Sequence, residues 1–263
     1  MEILVCARRV PDTSENEIEL NSTSNDIERD DLVYSINEPD NYAVEEALQI
    51  TSKVGGKVTV VTVGGEDDEE ILRREMAMGA NQGVLITDDA FNGSDGKGIA
   101  TILRAFVQKG KYDLILTGVQ AEDGGAQVGG MLAAMLDYPF AALVNSIEVL
   151  DGKKLKISRE IAGGNREMNE IDLPCVLSIQ TGINEPRYVG MRGIRAVASV
   201  PIPTHGASDL GIDPGTVGQA AAQVQRVDYF VPMLGKGAEM LRGSREENVD
   251  KVLELVAAKG GLK

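Results

Sequence analysis

Four short apolar runs punctuate the first half of the chain: Ile3 to Ala7, Val58 to Val63, Val84 to Thr87 and Leu114 to Thr117. Each is too short for a helix and three are rich in Val or Ile, the pattern of strands buried on both faces. Helical stretches separate them. Asn41 to Val54 places Ala43, Val44, Ala47, Leu48 and Ile50 largely on one side. Asp67 to Met78 opens in an acidic run, which suits the positive end of a helix dipole. Ser94 to Gln108 and Ala126 to Leu136 supply two more. Strand and helix therefore alternate, and the pattern predicts an α/β fold, a doubly wound parallel sheet with right-handed crossovers. Ligands of such sheets bind beyond the carboxyl ends of the strands, where this chain carries Arg8-Arg9, Gly64-Gly65 and the loop from Gly118 to Gly130.

After residue 140 the pattern changes. Val144 to Leu150 and Leu155 to Arg159 flank the turn Asp151-Gly152 and predict a hairpin, and Leu173 to Gln180 predicts a further strand. From Pro201 the composition turns to Pro, Gly, Ala and Asp, with strand signal only near Val227 to Val231 and one helix from about Ser244 to Ala258. A segment this poor in apolar residues does not close a core by itself. The expected organisation is an α/β domain over 1–200 and a C-terminal arm over 201–263 that packs on a partner.

Composition narrows the chemistry. The 263 residues carry a net charge of -15 and 4% aromatics with no Trp, which opposes nucleic-acid binding. Residues 1–95 hold 22 acids against 7 bases, whereas residues 96–263 balance. Within the balanced part, Arg187, Arg192 and Arg195 form a basic stretch with no acid between 186 and 208, which by itself reads as a solvated loop. Cys6 and Cys175 form no CxxC pair, so metal ribbons and disulfide scaffolds are disfavoured and a reducing setting is expected, the cytoplasm or an organelle matrix, with the cytoplasm preferred. No apolar run approaches a membrane span. The sole histidine, His205, lies between prolines and reads as a surface loop residue, so histidine-based catalysis has little to draw on. Any redox chemistry would have to come from a bound cofactor.

Two segments carry candidate binding chemistry. Residues 114–136 read as strand, Gly-rich loop and helix, and Gly118, Gly124, Gly125 and Gly129 allow close backbone approach to a phosphate at the helix start. The loop matches neither GxGxxG nor the P-loop, and a plain glycine turn explains it equally well. In residues 37–48, Asn37 and Asp40 are candidates for ribose hydroxyls or an adenine edge, and Asp40 or Asn41 equally for a helix cap.

Taken in order, AxRVPDT near the start, NEPDNYAVEEAL, MAMGA, GVQAEDGGAQVG, SREIAGGNRE followed by LPCVLSIQ, and GINEPRYVGMRGIR resemble the beta (small) subunit of electron-transfer flavoproteins. The resemblance covers about residues 1–200 strongly and the arm more loosely. It implies an adenine-nucleotide-binding, hydrolase-like α/β fold and a heterodimer with an alpha subunit whose mobile domain carries FAD. Electrons would come from flavoprotein dehydrogenases and leave to a quinone oxidoreductase or another acceptor.

The resemblance also implies site residues. AMP would be held by Cys6, by Asn37, Glu38, Pro39 and Asp40, by Val63, and by Gly118, Val119, Gln120, Ala121, Glu122, Asp123, Gly124, Gly125, Ala126, Gln127 and Val128. Some family members hold a second FAD in place of AMP and oxidise NADH, splitting its electrons; Asp40 and residues 126–129 are compatible with that type. Glu160 would approach the flavin domain. Residues 184–195 would form the loop that docks the dehydrogenase, with Met191 as anchor and Tyr188 and Arg192 beside it.

Overall fold

The structure, a computed structural model, describes residues 1–121, 124–233, 235 and 237–261. The elements in chain order are β1 (Glu2–Cys6), β2 (Arg9–Pro11), β3 (Tyr34–Ile36), α1 (Glu38–Val54), β4 (Lys57–Val63), α2 (Glu69–Met78), β5 (Gln82–Ile86), α3 (Gly96–Val107), β6 (Leu114–Gly118) and α4 (Val128–Leu136). They continue with β7 (Phe140–Val149), β8 (Lys154–Ile161), β9 (Asn165–Asp172), β10 (Cys175–Ile179), α5 (Met191–Val197), β11 (Thr204–His205), α6 (Ala207–Leu210), α7 (Gly218–Ala221) and α8 (Arg245–Ala258).

Nine strands form one sheet in the order β11-β5-β4-β1-β6-β10-β7-β8-β9. It is parallel from β11 to β7, and β7, β8 and β9 form an antiparallel meander at one edge. Side chains alternate between two cores. Ile3, Val5, Val58, Val60, Leu114, Leu116 and Leu177 face one, with α1 and α2 residues such as Val44, Leu48 and Leu72. Leu4, Val61, Val84, Ile115 and Val176 face the other, with Ile102, Leu103 and Phe106 of α3 and Leu132 of α4. That alternation, with helices on both faces, is the doubly wound architecture expected from the sequence.

Several elements depart from the sequence reading. Helix α1 starts at Glu38 rather than Asn41, with Asn37 at the N-cap position and Pro39 in the first turn, so neither Asp40 nor Asn41 is a cap. Proline suits a first turn because its missing N–H would have no intrahelical partner. The expected hairpin gains a third strand, β9, all but one of whose residues are at least partly exposed. No strand forms over residues 227–231. His205 is not on a surface loop: β11 extends the sheet edge along β5, and the half-buried imidazole packs on Phe106 at 5.9 Å between centroids.

The described residues form two compact units, Met1–Glu19 with Glu28–Val227, and Leu20–Ile27 with Asp228–Lys263. Residues 201–227, given to the arm on composition, pack within the first unit. Ala207, Leu210, Ile212 and Val217 enter its second core. Carboxylates also tie this strap down by its backbone: Asp88 accepts from Ala207 N at 2.9 Å and Asp95 from Gln223 N at 2.7 Å. In the second unit, Tyr229 N donates to Ser24 O at 2.7 Å. Helix α8 there is capped reciprocally by Ser244 and Glu247. Its Val249, Val252, Leu253 and Val256 recur at helical spacing and are all exposed. Among the described residues no helix is long and apolar enough to cross a membrane.

Candidate functional site

The strand order places β1 between β4 and β6, so the chain winds outward from β1 in one direction through β4 and β5 and then restarts on its other side with β6. Such a switch point opens a crevice at the carboxyl ends of the two central strands, because their following loops diverge. Those ends are Cys6 and Gly118; β4 pairs Val61 with Cys6 and runs two residues further to end at Val63, and Ile179 of β10 pairs with Gly118. Cys6, Val63 and Gly118 are all half-buried.

Helix α1 enters this crevice with its first turn. Asp40 is 6% exposed, and its two carboxylate oxygens divide between the diverging loops. Oδ1 accepts from Gly118 N at 2.8 Å and Oδ2 from Arg8 N at 3.0 Å. Asn37, 2% exposed, donates from Nδ2 to Gln120 O at 2.9 Å, and its own N–H donates to Arg8 O at 2.8 Å. Asn37 and Asp40, read as candidates for ligand contact, thus tie the walls of the site together. Burial pushes the Asp40 carboxyl up to about 7, against the opposing hydrogen bonds from Gly118, Asn37 and Arg8. The same burial, with the Asp40 charge, raises the Cys6 thiol well above its ordinary range, so Cys6 acts as a small apolar wall group and not a nucleophile.

Glycine is required at Gly118, where a Cβ would overlap Asp40 Oδ1 and lie 2.8 Å from Pro39 Cβ. It is required again at Gly129 in the first turn of α4, where a Cβ would stand 2.7 Å from Ser178 Oγ and 2.9 Å from Thr117 Oγ1. Those two buried hydroxyls share a 3.0 Å hydrogen bond, so α4 is seated directly on the ends of β6 and β10. Gly65 has open space where a Cβ would be, and Gly124 and Gly125 meet nothing closer than 3.4 Å. Gly65, Gly124 and Gly125 therefore leave backbone open to a ligand in a way that Gly118 and Gly129 do not. Ala126 adopts φ 53°, a left-handed conformation costing roughly 1 kcal/mol outside glycine, just ahead of Gln127, the N-cap residue of α4. Val119, Gln120, Ala121, Gln127 and Val128 line the same loop, whereas Glu122 and Asp123 lie outside the described residues. Glu38 is exposed and Pro39 half-buried at the crevice rim.

The remaining candidates lie elsewhere. Glu160 is half-buried at the end of β8, where Oε2 accepts from Gln180 Nε2 at 3.2 Å. Tyr188 is 93% and Met191 65% exposed, with Arg192 exposed beside them. Met191 opens α5, a helix that the two glycines at 190 and 193 concealed in the sequence. Arg187 is not simply solvated, since Nε and Nη2 donate to the two oxygens of Glu45 at 2.7 and 2.9 Å. Burial alone would raise the Glu45 carboxyl, but the Arg187 hydrogen bonds outweigh it and hold Glu45 below the usual range. Sequence reasoning missed Glu45, Arg73 and the Thr117–Ser178 pair, because each works through a partner more than 60 residues away. Among the described residues no group of three or more His, Cys, Asp and Glu is arranged to hold a metal ion.

Residues 25–210 match the electron transfer flavoprotein domain family. The chain is 34% identical over 260 residues to the electron transfer flavoprotein subunit beta of Methylophilus methylotrophus, covering 97% of this chain and 98% of that protein. It is 35% identical over 256 residues to the protein of the same name from Thermoanaerobacterium thermosaccharolyticum, covering 97% of each. It is 36% identical over 252 residues to the caffeyl-CoA reductase-Etf complex subunit CarD of Acetobacterium woodii, covering 95% of each. With the strand order, the crevice and these near full-length likenesses in agreement, the chain belongs to the electron transfer flavoprotein family, among its beta subunits.

Proposed function

We propose that this chain is the nucleotide-holding and docking half of a two-subunit electron carrier in the cytoplasm. It pairs with an alpha subunit whose mobile domain carries FAD, takes electrons from flavoprotein dehydrogenases docked on residues 184–195, and hands them to a quinone oxidoreductase or a similar acceptor. When bound, FAD supplies the redox chemistry. The observation that carries this reading is the double service of α1: its first turn braces the switch-point crevice through Asp40, and its second holds the exposed loop through Glu45. A relative named as part of a caffeyl-CoA reductase complex supports flavoproteins acting on acyl-CoA thioesters as the docking class.

In the crevice the proposed ligand is AMP. Open backbone at Gly65, Gly124 and Gly125 fits a nucleotide, and N–H groups at the start of α4 suit one phosphate. Residues 118–128 contain no Lys or Arg, so a pyrophosphate, as in a second FAD, would find no side-chain cation on that loop. Glu160, half-buried with Oε2 accepting from Gln180 Nε2 at 3.2 Å, would meet the flavin-bearing domain through a contact weak enough to release. The exposed apolar stripe of α8 suits the alpha subunit.

Copurification tests the pairing. Expressed alone, the chain should lack stoichiometric flavin and should not relay electrons from a dehydrogenase to a dye. Expressed with the flavin-bearing subunit, it should come down with it and do so. Stoichiometric FAD and dye reduction by the chain alone would contradict the proposal.

A further inference from the structure

The docking segment is exposed, short of helix propensity and yet held at both ends. Helix α5 has seven residues with Gly193 inside, too few to persist without outside support. At and just beyond its C-terminus, where Val200 N also donates to Val197 O at 3.1 Å, one side chain of α2 supplies donors to the backbone carbonyls. Arg73 Nη1 donates to Val197 O at 2.9 Å, Ala198 O at 3.0 Å and Val200 O at 3.2 Å. The other face of the same guanidinium is fixed by Glu69 Oε1, which accepts from Nε at 2.7 Å and also from Nη2. A planar cation suits this task, since it meets the negative end of the helix dipole while its remaining donors are committed elsewhere.

The other end is clamped to α1. Arg187 gives its backbone N–H, Nε and Nη2 to Glu45, whose side chain is 5% exposed. Asn184 Nδ2 donates to Tyr42 O at 3.1 Å and Glu46 Oε2 at 3.0 Å. Midway, Gly193 lies so close to α2 that a Cβ there would stand 3.0 Å from Ala77 O. Between the clamps Tyr188 and Met191 project into solvent. Two large apolar groups are thus held outward on a segment whose shape is set from below, and ordering a loop in advance removes an entropic cost of docking.

We propose that Arg73 and Glu45 are positioning residues for electron uptake, holding the ends of segment 184–200 so that Tyr188 and Met191 stand ready to dock, without touching the docked protein themselves. This rests on the docking reading above. The test uses the heterodimer with its flavin-bearing subunit. The donor is whichever purified acyl-CoA dehydrogenase of a panel reduces the wild-type pair at the lowest KM. Arg73→Met should raise KM for the donor about tenfold, with kcat at saturation and flavin content unchanged. Arg73→Lys, which keeps the charge but not the planar fork, should recover part of the loss. Amide exchange across 191–200 should accelerate in Arg73→Met in the absence of any donor. If Arg73→Met does not assemble, Glu45→Gln is read in the same way. An unchanged KM in these variants, alongside a raised KM in Met191→Ala, would overturn the positioning role and leave docking intact. An unchanged KM in Met191→Ala, or a panel with no donor for the wild type, would remove the docking reading and this proposal with it.

Discussion

Asp40 Oδ1 accepts the backbone N–H of Gly118 at 2.8 Å across the switch point of the sheet. Seventy-eight residues separate the two, and the bond closes only because Gly118 lacks a Cβ. The pair joins the start of α1 to the end of β6, the two elements that would face a nucleotide from either side.

Replacing Asp40 with Ala should leave the N–H groups of Gly118 and Arg8 without their acceptor, at a cost of about 2–4 kcal/mol in urea unfolding. Asp40→Asn, which keeps one acceptor oxygen, should cost less. Gly118→Ala should reproduce most of the Asp40→Ala loss, since its Cβ would displace the same carboxylate. A Gly118→Ala protein with wild-type stability would show that the crevice tolerates opening.

Glu75 makes a pH-dependent weakness in the fold. It is 0% exposed on α2 and neither carboxylate oxygen has a hydrogen-bond partner. Burial pushes it up to about 8; Arg74 opposes the shift, and Asp40 and Glu45 add to it. With a folded value above the unfolded one, the native state binds more protons, so stability is fullest below about pH 4.5 for this group and is lost as pH rises toward 8. Asp40 acts in the same direction between 3.8 and about 7. Glu75→Gln should therefore flatten the fall in stability between pH 5 and 8 and gain on the order of 2 kcal/mol at pH 8. Urea midpoints across that range decide it, and parallel curves for mutant and wild type would mean that Glu75 is ionised and satisfied.

Met191→Ala should weaken donor docking by about 1–2 kcal/mol, a hot-spot-sized loss, without altering heterodimer assembly. Tyr188→Ala should act similarly, since it is the more exposed of the two. Coupled rates measured across donor concentration report the change in KM, and equal curves for mutant and wild type would show that neither side chain anchors the partner.

The fold was legible where burial dictates sequence. Each central strand is enclosed by helices on both faces, so β1, β4, β5 and β6 had to be continuous apolar runs. Helix α1 was dated three residues late because its apolar spacing begins at Ala43, whereas its true start is marked by Asn37 and Pro39. β9 was illegible because residues 165–172 lie at a sheet edge, mostly exposed, with only Ile171 buried. The strap over 201–227 misled on composition: few apolar residues suffice when carboxylates of Asp88 and Asp95 fix its backbone. At the site, residue types pointed to the strand ends, and the contacts made there within the chain were not legible. Asn37 Nδ2 bonds Gln120 O and the Asp40 oxygens accept from Gly118 and Arg8, partners that no local spacing reveals.

Nucleotide content shows what the crevice holds. Acid extraction of the purified heterodimer followed by chromatography should give one FAD and one AMP per pair. Removal of the AMP should lower Tm by linkage without changing the flavin spectrum. Two FAD and no AMP, with rapid bleaching by NADH, would contradict the account and make this chain the flavin-holding subunit of an electron-splitting carrier.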